Sequence, residues 1–456
     1  MDKYTKLFAN YVVNTKNIPQ ESSHEAKRRI LDSFGVMYAA FLEDTPKVAR
    51  KYAYMFKTHE GAYLFGLPVK TTPEVAAFAN GVLVRYLDFN DTYLSKEPLH
   101  PSDCIPGLWA VAEWKKLSGK ELLEAITIAY EIGVNLCDAA SLRKHGWDHV
   151  NYITIMEVCA LGRLLKLPVY VIEHAISLAL IPNLSARQTR AGELSMWKGA
   201  AAANSTRNAI FGTFLAMNGM SGPYQPFEGE MGFFKQVLEK ETFDDQALAP
   251  IINLKEPTRI LDTYIKFYPV EYHAQSVVDI VKKLHQYVQS PDDIESIHID
   301  TFKAAYEIIA KDKEKWEPKT KETADHSIQY ITVVGLIDGS VTKHSFSKER
   351  LNDPIVKKIL STKTTLAEKD ELTAGYPDGI PNKVTLYTRD KKVYTEEVKY
   401  PRGHAKNKMS DEEVIEKFKN NADGLLTNTE MDSVIDAVMN LEKCEDVSKL
   451  ADILRV

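Results

Sequence analysis

The sequence is poor in cysteine, and this scarcity excludes several kinds of site. Only four cysteines occur in 456 residues, at positions 104, 137, 159 and 444, and none belongs to a CxxC pair. Thiols so few and so scattered cannot form a disulfide scaffold. They also lack the spacing of a zinc ribbon or of a locally ligated iron–sulfur cluster. Free thiols are typical of a reducing compartment, so we predict a cytoplasmic protein.

The sequence also lacks a long apolar run and a strong net charge. Its most apolar stretch, residues 169–182, is interrupted by Glu173 and His174 and is too short to span a bilayer. The 57 basic and 63 acidic residues give a formal net charge of −6. We therefore expect neither nucleic acid nor a membrane as a partner. The glycine-rich phosphate loops and the G-x-S-x-G elbow of hydrolases are absent as well.

What the sequence does contain is a long helical region, from residue 1 to about residue 265. Ser22-x-x-Glu25 and Ser118-x-x-Glu121 are typical of capping boxes, and Thr72-Pro73 is typical of a helix start. The second capping box predicts a helix to about residue 140. Apolar spacing predicts further helices over residues 152–166, 169–181 and 197–218.

The pattern changes near Tyr268-Pro269. A helix is predicted over 271–289, a short strand near 294–299, a helix over 324–336, and a hairpin formed by 383–389 and 393–400. From Ser410 onwards the helical pattern returns. We predict a mainly α fold, in which an all-helical domain built from both chain ends carries an inserted, smaller α+β lid domain. The predicted boundaries are 1–268 and 405–456 for the helical domain and 269–404 for the lid.

Two loop segments combine acidic, hydroxyl and histidine side chains. The segment Asp88-Phe89-Asn90-Asp91-Thr92 follows a predicted helix, and His100-Pro101-Ser102-Asp103 comes shortly after it. Catalytic groups are frequent in such loops, but Asx residues also favour helix ends and turns. A functional site and a capped helix end both remain open here.

Histidines also occur four residues apart, in His145-Gly146-Trp147-Asp148-His149. Zinc ligands on a helix have this spacing, but Gly146 is a poor helix residue and no glutamate base accompanies the pair. We therefore favour a partly buried histidine near a helix start, and we predict no metal.

Cations cluster in a third segment, which contains Arg187, Arg190 and Lys198 just before a predicted helix. An anion-binding site and a solvated loop are both consistent with this composition. Two further segments, Lys266 to His273 and Asp325 to Tyr330, carry no distinctive pattern on their own.

Taken in order, these segments resemble the MmgE/PrpD family, and most closely its 2-methylcitrate dehydratase branch. Tyr376-Pro377-Asp378 and Tyr400-Pro401-x-Gly403-His404 extend the similarity towards the end of the chain. The six-residue connection between Tyr93 and His100, and the aspartate at position 103, match this branch. The related cis-aconitate decarboxylases have a shorter connection and tend to carry glycine at the position of Asp103.

The resemblance implies a homodimeric hydro-lyase without metal or cofactor that acts on a small tricarboxylate. It implies catalytic roles for His100, His149, Asp88 and Lys198. Thr92, Arg190, Lys266, His273 and Tyr330 are the implied substrate-binding residues. Histidine exchanges protons near neutral pH, so we expect His100 and His149 to be the acid–base pair, with the order of the two unassigned. Three alternatives stay open: a cis-aconitate decarboxylase, an iminodisuccinate epimerase and a helical scaffold without catalysis.

Overall fold

Both chain ends contribute to one structural unit, and the middle of the chain forms another. The computed structural model describes residues 1–192 and 194–456. Unit 1 contains Met1–Thr263 and Ser410–Val456, and unit 2 contains Tyr264–Met409. The fold is mainly α with a small mixed sheet, which confirms the predicted fold class. Among the described residues, no helix combines the length and the apolar character that a membrane span requires.

Unit 1 is built from long helices and one small two-stranded sheet. In chain order these are α1 (Lys3–Asn14), α2 (Gln20–Ala40), α3 (Asp44–Tyr54), β1 (Lys57–Tyr63), β2 (Lys70–Thr71), α4 (Pro73–Arg85), α5 (Ile105–Lys115), α6 (Gly119–Ala139), α7 (Val150–Leu164), α8 (Val169–Leu180) and α9 (Ala201–Met217). The returning chain adds Asp411–Ala422 and Asn428–Met439. Shorter helical turns in the loops include Pro101–Cys104, Arg143–His145, Arg187–Arg190, Met196–Gly199, Phe233–Gln236 and Ala249–Ile252.

The centre of unit 1 consists of helices that are apolar on nearly all sides. Every residue of α7 except Arg163 is buried, and α7 packs against α6, α8 and α9. Gly212 lets α9 approach α8 closely, because a Cβ atom at this position would lie 2.8 Å from the backbone nitrogen of Ala179. Such helices belong in the interior of a bundle, and they give the loops between them a rigid base.

Most of the predicted helix starts agree with the structure, but one is wrong. Ser118 and Glu121 form a reciprocal capping box at the start of α6, as expected. Ser22, by contrast, lies inside α2, and its hydroxyl donates to the carbonyl of Pro257. Glu25 forms ion pairs with Arg28 and Arg29 instead of bonding the backbone. The capping prediction fails here because the helix already begins at Gln20, and arginines of the same helix pair with the glutamate.

Unit 2 contains a four-stranded mixed sheet in the order β4-β3-β5-β6. Its strands are β3 (Ile294–Thr301), β4 (Thr364–Glu368), β5 (Asn382–Thr388) and β6 (Val393–Val398). The β5–β6 pair is the predicted hairpin, whereas the parallel edge strand β4 was not predicted. Helices span Gln275–Leu284, Ile328–Asp338 and Pro354–Thr362, with short turns at Tyr272–Ala274, Lys303–Ala305, Tyr306–Ala310, Lys313–Trp316, Lys321–Ala324, Lys348–Leu351 and Asp370–Thr373. The predicted helices 271–289 and 324–336 are thus shorter than expected.

Candidate active site

Asp88 lies directly beyond the end of α4, in a backbone conformation that few residues adopt. Its φ of 53° is left-handed, which aspartate tolerates better than most side chains. The buried carboxylate is bonded by Arg85 from the last turn of α4. The ammonium nitrogen of Lys198 lies 3.4 Å from the second carboxylate oxygen. The two cations hold a negative charge in the interior of unit 1.

His100 follows a closed loop whose ends are paired by backbone hydrogen bonds between Tyr93 and Leu99. The Nδ1 atom of His100 lies 2.7 Å from the carbonyl oxygen of Asp91. A carbonyl can only accept, so Nδ1 carries the proton. The other ring nitrogen, Nε2, lies 3.7 Å from the Asp88 carboxylate. The hydroxyl of Thr92 donates to the carbonyl of Leu99 and helps to close the loop.

His149 precedes α7, as the favoured interpretation of its segment predicts. Its Nδ1 atom lies 3.3 Å from Oδ1 of Asp148, and the Nε nitrogen of Arg190 lies 3.0 Å from each oxygen of the same carboxylate. Two buried atoms, Nε2 of His149 and Nη2 of Arg190, have no hydrogen-bond partner among the described residues. The rings of His149 and His100 are 5.7 Å apart, between centroids.

Burial and neighbouring charge keep His149 uncharged at neutral pH. Burial lowers the pKa of His149 to about 3, and the Arg190 guanidinium adds to the effect, while Asp148 opposes it. Burial alone would raise the pKa of Asp148, but Arg190 and His149 bring it below its usual value. Nδ1 faces the Asp148 carboxylate, so the lone pair of the neutral ring lies on Nε2. The lone pair of this neutral imidazole can accept a proton, and burial and the Arg190 charge make the free ring a weak base.

The other predicted residues of the site lie in unit 2. Lys266 and His273 are buried, and Nδ1 of His273 lies 2.8 Å from a carboxylate oxygen of Glu271. The Nε2 atom of His273 is buried and has no hydrogen-bond partner in the described part of the chain. Tyr330 is also buried, and its hydroxyl donates to the carbonyl of Ser345 at 2.7 Å. The proton of this hydroxyl is therefore used within unit 2.

Comparison with known proteins identifies the family. Residues 6–246 match the MmgE/PrpD N-terminal domain, and residues 268–443 match the MmgE/PrpD C-terminal domain. The chain belongs to the MmgE/PrpD family. The 2-methylcitrate dehydratase of Cupriavidus necator is 30% identical over 393 residues, which cover 79% of this chain and 77% of that protein. The 2-methylcitrate dehydratase of Salmonella typhimurium is 28% identical over 416 residues, covering 85% and 83%.

Other MmgE/PrpD relatives carry another name. The cis-aconitate decarboxylase of Homo sapiens is 26% identical over 475 residues, which cover 99% of this chain and 94% of that protein. The mouse enzyme of the same name is 27% identical over 477 residues. Family membership is therefore shown, and the reaction has to be argued from the site.

In unit 1 of this MmgE/PrpD chain, Asp88, His100 and Lys198 form one group of contacts. His149 and Arg190 form a second group, which lies beside the first because the rings of His100 and His149 are close. Within residues 1–192 and 194–456, no three histidine, cysteine, aspartate or glutamate side chains are grouped as metal ligands would be. His145 instead lies near two surface glutamates, Glu239 and Glu241.

Sequence analysis did not predict the contacts that hold the loops and side chains of the site in place. Asp91 accepts from the backbone nitrogen of Ser102 and from the hydroxyl of Tyr130, and Arg29 lies 3.5 Å away. Arg85, which pairs with Asp88, was not predicted as part of the site. Its place three residues before Asp88, in the last turn of a helix, was the available signal.

Proposed function

We propose that this chain is a cofactor-independent dehydratase that removes water from 2-methylcitrate to give 2-methyl-cis-aconitate, with citrate as a second substrate. The observation that carries the proposal is the pair of unpartnered buried atoms, Nε2 of His149 and Nη2 of Arg190. One can accept a proton and the other can bind a carboxylate, and dehydration of a hydroxy-tricarboxylate needs both. The names of the relatives support the same reaction.

The first chemical problem is to remove a proton from a carbon next to a carboxylate. A carboxylate stabilises a carbanion poorly because it is already negative, so nearby cations must neutralise it. We assign Arg190 and Lys198 to this task. Arginine can bind a carboxylate through two parallel hydrogen bonds, whereas lysine acts as a point charge.

The base in this proposal is His149, because its neutral ring presents a lone pair on Nε2. The ring in the free protein holds a proton weakly. Negative charge on a bound tricarboxylate would stabilise the imidazolium and strengthen the base. As the C–H electron pair forms the double bond, the C–O bond breaks and hydroxide leaves. A proton from the acid converts the hydroxide into water.

We assign the acid role to His100. Its Nδ1 proton is held by the Asp91 carbonyl, so the proton given to the leaving hydroxide must be a second one, carried on Nε2, which faces the Asp88 carboxylate. Asp88 orients this imidazole. Thr92 remains a proposed substrate contact, and it would accept through its oxygen because its proton is bonded to Leu99.

For unit 2 we carry over the family-based proposal that Lys266, His273 and Tyr330 bind substrate. Since the Tyr330 proton is bonded to Ser345, we expect this residue to contribute shape or an acceptor oxygen. A homodimer, a cytoplasmic location and a role in propionate breakdown through the methylcitrate cycle are likewise proposals that rest on the family.

The test is a panel of substrates given to the purified protein: 2-methylcitrate, citrate, cis-aconitate and iminodisuccinate. We expect the ultraviolet absorbance of a conjugated acid to rise with 2-methylcitrate, and treatment with EDTA to leave the rate unchanged. Release of CO₂ from cis-aconitate without dehydration would favour the decarboxylase alternative, which the full-length similarity to the human enzyme supports. Racemisation of the imino-diacid alone would favour the epimerase. No turnover of any compound would overturn the proposal.

A further inference from the structure

The third histidine of the candidate set, His273, is held by a carboxylate that sequence analysis did not single out. Oε1 of Glu271 lies 2.8 Å from Nδ1 of His273, and Oε2 accepts from the backbone nitrogen of the same residue at 2.7 Å. Both oxygens of one carboxylate thus bond one residue. The backbone nitrogen of Glu271 itself donates to the carbonyl of Asp325 at 2.9 Å.

The backbone and ring of His273 are fixed from other directions as well. Asn382 of β5 donates to the His273 carbonyl at 2.9 Å, and the hydroxyl of Thr301 on β3 donates to the Asn382 amide oxygen at 2.6 Å. The rings of Phe302 and Tyr376 lie 5.4 and 5.7 Å from the imidazole, between centroids. The backbone of His273 is therefore bonded to the sheet of unit 2, and its ring packs beside two aromatic rings.

The charge on this pair follows from the same contacts. Burial by itself would raise the pKa of Glu271, but the charge and the hydrogen bond of His273 hold it at about 2. His326 and Lys266 add to the lowering. A carboxylate that stays ionised can only accept hydrogen bonds, so Nδ1 must be the donor.

We propose that Glu271 is a positioning residue: it fixes the proton of His273 on Nδ1 and leaves Nε2 as the only ring nitrogen that can contact a ligand. This inference rests on the proposed function, in which His273 binds substrate. A carboxylate ligand beside Nε2 would draw a second proton onto the ring, and Nε2–H would then donate to it, with the ring between two negative charges; the ligand class is therefore a carboxylate. Carboxylates orient metal-bound histidines in the same way.

The kinetic test compares Glu271→Gln, Glu271→Asp and the wild type with 2-methylcitrate as substrate. We expect Glu271→Gln to raise KM about tenfold, with a smaller change in kcat, because a charged hydrogen bond to substrate is weakened. Glu271→Asp keeps the charge and should recover part of the loss. Glu295→Gln, an exposed glutamate on β3, is the matched control and should have wild-type constants. A Glu271→Gln enzyme with an unchanged KM would overturn the proposal.

A second measurement does not depend on activity, and its decisive part uses the wild-type protein. In wild-type protein with isotope-labelled histidine, nitrogen NMR should show a proton bonded to Nδ1 of His273. Glu271→Gln should replace this state by a mixture of tautomers. If Nδ1 of wild-type His273 carries no proton, the proposal is wrong even when the enzyme is active. If the proton is present but no tricarboxylate reacts, the positioning role is supported and the proposed function fails.

Discussion

Two buried histidines, His149 in unit 1 and His273 in unit 2, are built on the same plan. Each has a carboxylate near Nδ1, at 3.3 Å from Asp148 and at 2.8 Å from Glu271. Each presents an Nε2 atom that is buried and has no hydrogen-bond partner within the described ranges. The two histidines nevertheless differ in their surroundings, because Asp148 and Glu271 have different further partners.

Asp148 is bonded through both oxygens by an arginine, whereas Glu271 bonds His273 through both oxygens. Arg190 bonds both oxygens of Asp148, so little negative charge remains to stabilise a protonated His149. The second oxygen of Glu271 accepts from the backbone N–H of His273. Burial first, and then the Arg190 charge, lower the pKa of His149 to about 3, while Asp148 opposes the shift. Against the effect of burial, the charge and the hydrogen bond of His273, with His326 and Lys266, hold the pKa of Glu271 at about 2. The groups around each carboxylate, and not the carboxylate alone, therefore distinguish the two sites.

The largest effect is expected from removal of the proposed base, His149. We expect His149→Ala to lower kcat for 2-methylcitrate by about 10² to 10⁴, the range that positioned acid–base groups contribute. Steady-state kinetics on folded protein, checked by circular dichroism, measures the effect. The matched control is His59→Ala. His59 is exposed on β1, so this substitution should leave kcat unchanged. Near-wild-type turnover by His149→Ala would remove His149 from the mechanism.

Removing a cation from unit 1 should have the next largest effect. We expect Lys198→Ala to lower kcat/KM by about 10- to 100-fold, because one charged hydrogen bond to substrate is lost. Lys166→Ala serves as the control, since Lys166 pairs with Glu121 at the surface. An unchanged kcat/KM would show that Lys198 serves only to neutralise Asp88.

The substitution Asp148→Asn tests what the Asp148 charge contributes beside His149. This change leaves the charge of Arg190 uncompensated beside His149, so the base is weakened further, and we expect kcat to fall about tenfold. The variant should also melt at a lower temperature, because a buried charge has lost its partner. Asp245→Asn, at an exposed ion pair with Lys3, is the control. A kcat equal to that of the wild type, measured below the melting transition, would contradict the account.

The smallest effect concerns stability and contrasts Glu97 in unit 1 with Glu271. Burial raises the pKa of Glu97 to about 7, although the backbone nitrogen of Arg143 and the hydroxyl of Ser141 oppose the shift. The folded state therefore holds this proton more tightly than the unfolded state. The associated stability is present at low pH and is lost as the pH rises from about 4.5 through about 7.

We expect the free energy of unfolding of the wild type to lose about 1 kcal/mol from this group between about pH 6 and about pH 8. Glu97→Gln should lack that component, because glutamine keeps the shape and has no proton to lose. Urea unfolding at both pH values measures it, with exposed Glu60→Gln as the control. If the variant and the wild type lose stability equally, Glu97 does not titrate in this range.

Sequence patterns predicted the helices and the hairpin better than the contacts between them. The capping box at Ser118 depends on residues three apart, so it could be recognised locally. The failure at Ser22 has a tertiary part, because its hydroxyl bonds the distant Pro257 carbonyl, and a local part, because arginines of the same helix pair with Glu25. The only two apolar residues of strand β4, Leu366 and Ala367, are adjacent and do not alternate with polar ones, and the strand lies at the edge of the sheet. Its sequence therefore carries little β signal.

In the candidate site, too, the residues could be predicted from the sequence but their contacts could not. The residue types and the order of the segments pointed to His100, His149 and Lys198. Their partners are separated in sequence, as with Tyr130 on Asp91 and Arg190 on Asp148. Such pairs depend on how helices pack, and helical periodicity shows only which face is buried.

The central claim is that His149 is an uncharged base, and its protonation can be observed directly. Protein labelled in its histidines, studied by nitrogen NMR at about pH 6, allows assignment of His149 by comparison with His149→Ala. The account predicts a neutral ring with one protonated nitrogen, Nδ1, and a lone pair on Nε2. A doubly protonated His149 ring at this pH would contradict it.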